Sequence, residues 1–370
     1  MNNEFYGDKL RLARLLNGFT QQQLGELVST SRQYIHQLES GSKLPADDVM
    51  AALCEGLLVT EDFFNKPLLN DVKFEQCHFR KRKTTQTGLV NRVLAYSKIF
   101  EELIDYINRF INLPIANFPE INNHIENYTN SEIELAAEKC RKLWKLGTDT
   151  PIANVTKVLE NAGILITQFR GLSDKVDALS LNRMTPIIVR NDAKASVCRM
   201  RFDLAHECGH FVLHDGVETG DNITEREADN FASSFLFPKK AFIKEFPDFK
   251  RGRLDWSVIY RLKIRWGMSA RALIYTAHSM NKITAQQYRS ANVQLNKSGQ
   301  SRKEKYDETI PAENPSLIAR SIDMIEKHLN ITANDIANYL GVKLQLLSTI
   351  TSIDFEDNPR PQKVISIFSK

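Results

Sequence analysis

The chain has 370 residues, enough for about two to three domains, with 49 basic against 45 acidic side chains and a net charge of +4. That balance is too slight to argue for nucleic acid by itself, so any such function must come from a local motif. Five cysteines, at positions 54, 77, 140, 198 and 208, form no CxxC pair; this argues against a disulfide framework or zinc ribbon and for a reduced, cytoplasmic protein. No stretch stays apolar long enough to cross a bilayer and no signal-like segment precedes the first predicted helix, so no membrane partner is expected.

Residues 9–66 carry helical apolar periodicity broken by short turns. Leu10, Ala13 and Leu16 give a first helix that ends at Gly18. Thr20 with Gln23 has capping-box spacing and opens a second helix through Val28. Thr30 with Gln33 repeats the signal for a third helix, which runs to Glu39 and is stopped by Gly41. Two short helices so joined are helix-turn-helix geometry, with Leu24, Leu27, Ile35 and Leu38 placed to lock them together. The third helix would enter a major groove by its N-terminal end, with Ser31, Arg32, Gln33 and Gln37 at the base edges. Gln21 would sit on phosphate, and Lys43 would touch the backbone from the following loop. A helical packing module would share the periodicity but has no need of the polar tip Ser31-Arg32-Gln33. The run from Thr20 to Gly41 closely resembles the Cro/C1-type family of phage repressors. That resemblance implies an all-α, lambda-repressor-like domain over residues 1–70 and a double-stranded DNA operator as partner. Paired half-sites on such DNA would call for a homodimer.

Residues 71–130 read as a basic and helical linker region. Phe79-Arg80-Lys81-Arg82-Lys83 is a compact basic run, suited to a phosphate backbone or to a solvated connector. A helix is predicted over 89–111, then a loop over 112–130 that contains Pro114 and Pro119. Ser131 with Glu134 has capping-box spacing for a helix over 131–146, and another is predicted over 150–162, ended by Gly163. Residues 164–169, 178–181 and 186–189 are short β-type runs, so the following core should be α+β.

The segment Arg201-Phe-Asp-Leu-Ala-His206-Glu207-Cys-Gly-His210-Phe-Val-Leu-His214 contains HExxH. On a helix, His206 and His210 project from adjacent turns of one face, so both imidazoles can reach one metal. Glu207 can then address a water at that metal as general base. Catalytic zinc usually takes three protein ligands, and the acidic stretch from Ile223 to Pro238 supplies candidates. Thr224 and Glu227 have capping-box spacing; with Glu227 spent on the cap, Glu225 becomes the third ligand and Glu227 the alternative. Asp229 shares the Glu225 face and could orient a ligand from behind. His214 continues the i+4 series but drifts off the metal; packing behind the site suits it equally. Cys208 reads as a buried helix residue.

This region resembles the ImmA/IrrE metallopeptidases, in which an HExxH helix is followed by an acidic helix of form ExxA(N/D)xFAxxLLxP. The matching residues are Glu225, Ala228, Asp229, Phe231, Ala232, Phe235, Leu236 and Pro238. Asp177-Ala178 and Pro186 to Asn191 resemble the family's lead-in strand. The resemblance covers about residues 130–280 and implies a zincin-like α+β peptidase domain, placed here at 131–292. It implies Zn2+ on His206, His210 and a glutamate of the second helix, with Glu207 as general base. Asp203 stands where Thr or Ser is common and Cys208 where an aliphatic is common. Proteins that combine the two families often carry an F-R-x-R/K element, which residues 79–83 would match.

Small helices are predicted over 256–266, 269–279 and 284–292, with Trp256 and Trp266 as core residues. Residues 293–310 are polar and read as mobile; residues 315–350 are helical again, so 293–370 is expected to be a flexible segment followed by a helical C-terminal unit. Within it Ile331-Thr-Ala-Asn-Asp-Ile-Ala-Asn-Tyr-Leu-Gly-Val resembles the start of a helix-turn but lacks a basic reading face, which favours protein contact. The sequence thus predicts a transcriptional regulator whose zinc endopeptidase domain cleaves a partner, most simply a repressor of the same helix-turn-helix class. In the rival expectation the peptidase fold senses a ligand or protein without cleaving it, in a phage-defence or toxin-antitoxin setting. The family association points to bacteria and their mobile elements.

Overall fold

A computed structural model of the chain describes residues 4–68, 77–78, 87–121, 127–169, 179–181, 185–191, 196–217, 219–247, 254–301 and 303–355. The basic run 79–83 and the pair Asp177-Ala178 lie outside the described residues.

Five helices come first: α1 (Gly7–Leu16), α2 (Gln21–Leu27), α3 (Arg32–Glu39), α4 (Asp47–Leu57) and α5 (Glu61–Phe64). Thr20 caps α2 and Gln23 returns the bond, as the spacing requires. The start of α3 differs from expectation. Ser31, not Thr30, is its cap, accepting from the Tyr34 N–H at 3.1 Å. Thr30 is held back in the turn because its N–H closes onto the Gly25 carbonyl at 2.7 Å. Leu24, Ile35 and Leu38 are buried, whereas Leu27 is 49 % exposed and Val28 takes its place against the core.

A two-residue strand that the sequence did not signal, β1 (Cys77–His78), precedes the long α6 (Thr87–Ile107) and α7 (Asn130–Leu143). Thr129 and Glu132 form the capping box of α7, so that helix begins earlier than the Ser131 signal placed it. Helix α8 (Val155–Asn161) starts later than expected, capped by Asn154. Pro151 disfavours helical backbone at Thr150, and the Thr150 carbonyl is taken by the Arg141 guanidinium instead.

Strands β2 (Leu165–Phe169), β3 (Leu179–Leu181) and β4 (Ile187–Asn191) join β1 in a sheet of order β1-β3-β4-β2. β2 and β4 are parallel, with Leu165 opposite Ile187; β3 runs antiparallel to β4, and β1 antiparallel to β3. Alternation along the strands divides the interior. Leu165, Leu181, Ile187 and Val189 face a core shared by α1–α6 and the C-terminal helices, while Ile166 and Ile188 face the helices of the second half.

Beside α7 and α8, that second half comprises α9 (Val197–Leu213), α10 (Asn222–Leu236), α11 (Lys239–Glu245), α12 (Trp256–Trp266), α13 (Ala270–Ser279) and α14 (Ala285–Lys297). Trp266 is fully buried and stacks on Phe237 at 3.9 Å, whereas Trp256 is half-buried. The expected mobile stretch 293–310 is instead tied down. Helix α14 runs through its first part, and a 3-10 turn (Asp307–Thr309) ends it. The buried Lys263 ammonium binds Glu304 at 3.0 Å and Asp307 at 2.6 Å, and Glu304 also accepts the Ala270 and Arg271 N–H groups. Composition alone suggested disorder; two of those polar residues are partners for one buried cation. The chain closes with α15 (Leu317–Leu329), α16 (Ala333–Leu340) and α17 (Leu344–Thr351). The molecule is thus mostly helical: an all-α N-terminal region, a mixed α+β middle and a helical C-terminal region. Among the described residues no helix is long and apolar enough to cross a membrane, and Cys54, Cys140, Cys198 and Cys208 are free thiols.

Candidate metal centre

Helix α9 carries His206 and His210 one turn apart, 4 % and 2 % exposed, with their Nε2 atoms 3.1 Å from each other. Helix α10 crosses close beside them. Gly209 makes that approach possible: a Cβ there would lie 3.0 Å from the Phe231 ring of α10. Glu225, in the first turn of α10, places Oε2 3.6 Å from His206 Nε2 and Oε1 3.5 Å from His210 Nε2. Two imidazole nitrogens and one carboxylate therefore converge, all within 4.8 Å of one another. Ligands on arms of about 2.0–2.1 Å in a tetrahedron stand about 3.3–3.4 Å apart. The donor set and its spacing fit zinc.

The outward nitrogens are also engaged. Asp229 Oδ1 lies 2.8 Å from His206 Nδ1. His210 Nδ1 lies 3.0 Å from His214 Nδ1, and His214 Nε2 lies 2.9 Å from Glu227 Oε2. Burial holds His214 below its usual value despite Glu227, so it is neutral. With Glu227 accepting from its Nε2–H, His214 Nδ1 must accept, and His210 Nδ1–H must donate. His210 then turns a lone pair inward at Nε2, and neutral His206 does the same when its Nδ1–H is donated to Asp229. Burial pulls the His206 value down, but Asp229, Glu207 and Glu225 outweigh it and the net shift is upward.

Glu227 is not spent on a cap. Asp221 is the N-cap of α10, accepting from Ile223 N–H at 2.6 Å and Thr224 N–H at 3.0 Å, so Thr224 lies inside the helix. Glu227 is turned to His214 and to the Tyr128 N–H, 2.8 Å away. Glu225 meets the histidines because of its helical phase, not because a cap releases it. Cys208 is buried on the core side of α9, its thiol pushed well above the usual range by burial.

Glu207 is 4 % exposed. Burial pushes its carboxyl up to about 8, against the opposing pull of His206 and of the Ser180 hydroxyl, which donates to Oε2. Ser180 is the one hydroxyl of strand β3, and the sequence reading missed it. Its only local signal is a polar residue between two leucines, so that alternation sets it on the opposite sheet face from Leu181.

The N-terminal region presents a different surface. Arg32 and Gln33 are exposed in the first turn of α3. Ser31 is exposed beside them, with its hydroxyl committed to the cap. Gln37 is half-buried, and its carbonyl holds the next loop through the Ser42 and Lys43 N–H groups. Lys43 is exposed, its ammonium 5.6 Å from the Tyr34 ring centre. Gln21 Nε2 donates to Glu39 at 2.7 Å, and the same carboxylate pairs with Arg14. That bond fixes Gln21 at the head of α2.

Residues 6–63 match the profile of a helix-turn-helix domain, and residues 159–278 that of the IrrE N-terminal-like domain of the M78 peptidases. The chain joins a helix-turn-helix domain to an IrrE N-terminal-like peptidase domain. The IrrE-like match spans α9 and α10 whole, and with them His206, Glu207, His210 and Glu225. The helix-turn-helix match spans α2, α3 and the loop carrying Lys43. No curated protein matches the chain. Among solved structures it is similar to Bacillus thuringiensis PlcR in complex with the peptide PapR7 and DNA. The identity is 14 %, over 88 % of this chain and 97 % of that one, with a TM-score of 0.17; so low a score carries no structural argument. Residues outside the IrrE-like match also reach into it, among them Tyr128 through Glu227, and Glu313, whose carboxylate binds Arg201 of α9.

Proposed function

We propose that the protein is a DNA-bound transcriptional regulator whose IrrE-like domain is a zinc-dependent endopeptidase acting on a protein partner. The convergence of His206, His210 and Glu225, with Glu207 buried beside them, carries this reading. A zinc ion on those three ligands would supply a Lewis acid that acidifies water and polarises a scissile carbonyl. Glu207 accepts the proton of the attacking water at a carboxylate oxygen and returns it to the leaving amine. Ser180 holds that carboxylate in one orientation. Asp229 and His214 fix the ligand imidazoles, as partners behind metal-bound histidines do. Arg32 and Gln33 read base edges from the exposed end of α3, and Lys43 contacts the phosphate backbone. A repressor of the same helix-turn-helix class is the substrate we favour, since a DNA-reading module brings the peptidase to where such proteins sit.

Near-complete burial of His206, Glu207 and His210 favours a second reading, in which the domain senses a ligand or partner without cleavage. One experiment separates the two. Metal content is measured on protein purified without added metal, beside a His206→Ala/His210→Ala variant, and both are incubated with candidate repressors. About one zinc per wild-type chain with a cleaved repressor supports the peptidase. Zinc without cleavage of any repressor supports sensing, and no metal in folded protein rejects the centre.

A further inference from the structure

The helix-turn start at residues 331–342 is part of a complete unit. Helices α16 and α17 repeat α2 and α3 position by position. Thr332 caps α16 with a reciprocal bond from Asp335, as Thr20 does α2 with Gln23. The second cap follows eleven residues later in each, at Ser31 and Lys343. Ser29 (φ 54°) and Gly341 (φ 71°), both in the left-handed region, occupy the same place in the turn. The turn closes with the same bond: Thr30 N–H to Gly25 O at 2.7 Å, Val342 N–H to Ala337 O at 2.9 Å. The interior positions also coincide: Leu24, Val28, Ile35 and Leu38 in one, Ile336, Leu340, Leu347 and Ile350 in the other, all buried.

Of the reading positions, only the glutamine at 33 and 345 is shared. Where α3 has Arg32, Gln33 and Gln37, α17 has Leu344, Gln345 and Thr349. Helix α17 is moreover embedded against the sheet, its Ile350 carbonyl accepting from Tyr96 and from Thr167. This unit has neither the charge nor the freedom to enter a groove.

What it does touch is the N-terminal domain. Val59 and Val342, both buried, form an isolated antiparallel bridge. Thr60 N–H donates to Gly341 O and Lys343 N–H to Leu58 O, each at 2.8 Å. Leu58-Val59-Thr60 and Gly341-Val342-Lys343 are equivalent turns: a left-handed residue, a valine, then a helix cap. Residue and equivalent exchange the same bonds, as across the two-fold axis of a symmetric dimer. Gly341 adapts the contact to this chain. A Cβ there would lie 2.7 Å from the Phe63 backbone, so Leu58 of a second copy could not take its place.

We propose that residues 332–351 are a second helix-turn-helix that does not read DNA and whose turn at 341–343 fills, within one chain, the place that the 58–60 turn of a partner copy would take. The protein then works as a single-chain unit with one reading head, in place of the homodimer that paired half-sites suggest. The DNA stoichiometry rests on the DNA-reading function above; the contact itself does not.

The test combines light scattering of the full chain, free and with an operator duplex, with amide exchange at Thr60 and Lys343. The free chain should run at 42.3 kDa across concentrations and bind one chain per duplex. Both amides should be protected, and Val342→Asp should lower their protection together by tenfold or more. Lys343→Pro is the gentler variant if Val342→Asp does not fold: φ at 343 is already −76°, so proline removes the donor without straining the turn. It should lower protection at Thr60 alone. A dimeric free chain, two chains per duplex, or a Thr60 amide exchanging at the free-peptide rate in wild type would each overturn the proposal. Failure to bind any DNA would count against the DNA-reading function, while mass and exchange would still decide the contact.

Discussion

At the scale of single residues, the centre divides its labour between groups that would bind metal and groups that hold those groups still. Glu207 is neither, so Glu207→Gln should keep metal and lose cleavage by about 10²–10⁴-fold, the usual worth of a general base. Metal analysis and a cleavage assay on one preparation check both halves. In metal-free protein the same residue has a thermodynamic signature. Its folded value, about 8, lies above its ordinary value of 4.5. The folded state therefore holds the proton where the unfolded state has released it, and stability falls as pH rises between those values. Urea titrations of chelated protein at several pH values should show that slope, and Glu207→Gln should lack the part Glu207 contributes. Asp229→Ala removes the carboxylate behind His206 and should weaken zinc affinity about 10–100-fold, read by competition with a chelating dye; unchanged affinity would remove Asp229 from the centre. What could be seen in the sequence here was whatever lies within one helix. The four-residue step from His206 to His210 and the four-residue step from Glu225 to Asp229 are periodic. Ser180 and Tyr128 could not be seen, because they reach Glu207 and Glu227 across 27 and 99 residues of chain.

At the scale of elements, the capping signals were legible and their exact residue was not. Thr20 and Gln23 cap α2 as spaced, but α10 is capped by Asp221, three residues before the threonine that carries the same spacing with Glu227. Where two capping residues lie within one turn, the tertiary demand on the downstream acid decides, and His214 claims Glu227. For α3 the exposed first turn makes a separable prediction. Arg32→Ala or Gln33→Ala should each weaken operator binding by about 1–3 kcal/mol, the worth of one good side-chain pairing with a base edge, measured by fluorescence anisotropy at fixed salt. Affinity unchanged in both would exclude α3 as the reader. Residues 300–309 make another. They looked disordered because Glu304 and Asp307 are polar, yet both close on Lys263. Burial lowers the Lys263 value, but Asp307 and Glu304 outweigh it and raise it overall. That stabilisation is therefore complete at neutral pH and is lost only as pH climbs through the raised value. Lys263→Met strands two buried carboxylates and should destabilise by about 3–5 kcal/mol, with exchange rising first at the 3-10 turn; a variant as stable as wild type would refute the anchor.

At the scale of the whole molecule, the sheet separates a helix-turn-helix half from an IrrE-like half, and the C-terminal region crosses between them. The crossing is made by two reciprocal caps. Glu313 accepts the Val155 and Thr156 N–H groups at the start of α8, and Glu160 of α8 accepts the Ser316 and Leu317 N–H groups at the start of α15. Each carboxylate satisfies donors that a helix N-terminus cannot satisfy itself. Glu313 does more, because its other oxygen binds Arg201 on α9, five residues before His206. Arg201 is buried, so the pair is a joint between α9 and the C-terminal helices. Glu313→Gln leaves that guanidinium in the interior without its counter-charge, and breaking one side of a buried pair costs about 3–5 kcal/mol. Arg201→Met alone should cost a similar amount, since Glu313 would keep only its bonds to α8. If the two residues act as one joint, the double variant should be less destabilised than the sum of the two single variants. Urea denaturation of the four proteins measures this. Strict additivity would mean that Arg201 and Glu313 stabilise their helices independently, and that the caps from Glu313 and Glu160 join the two halves without this ion pair.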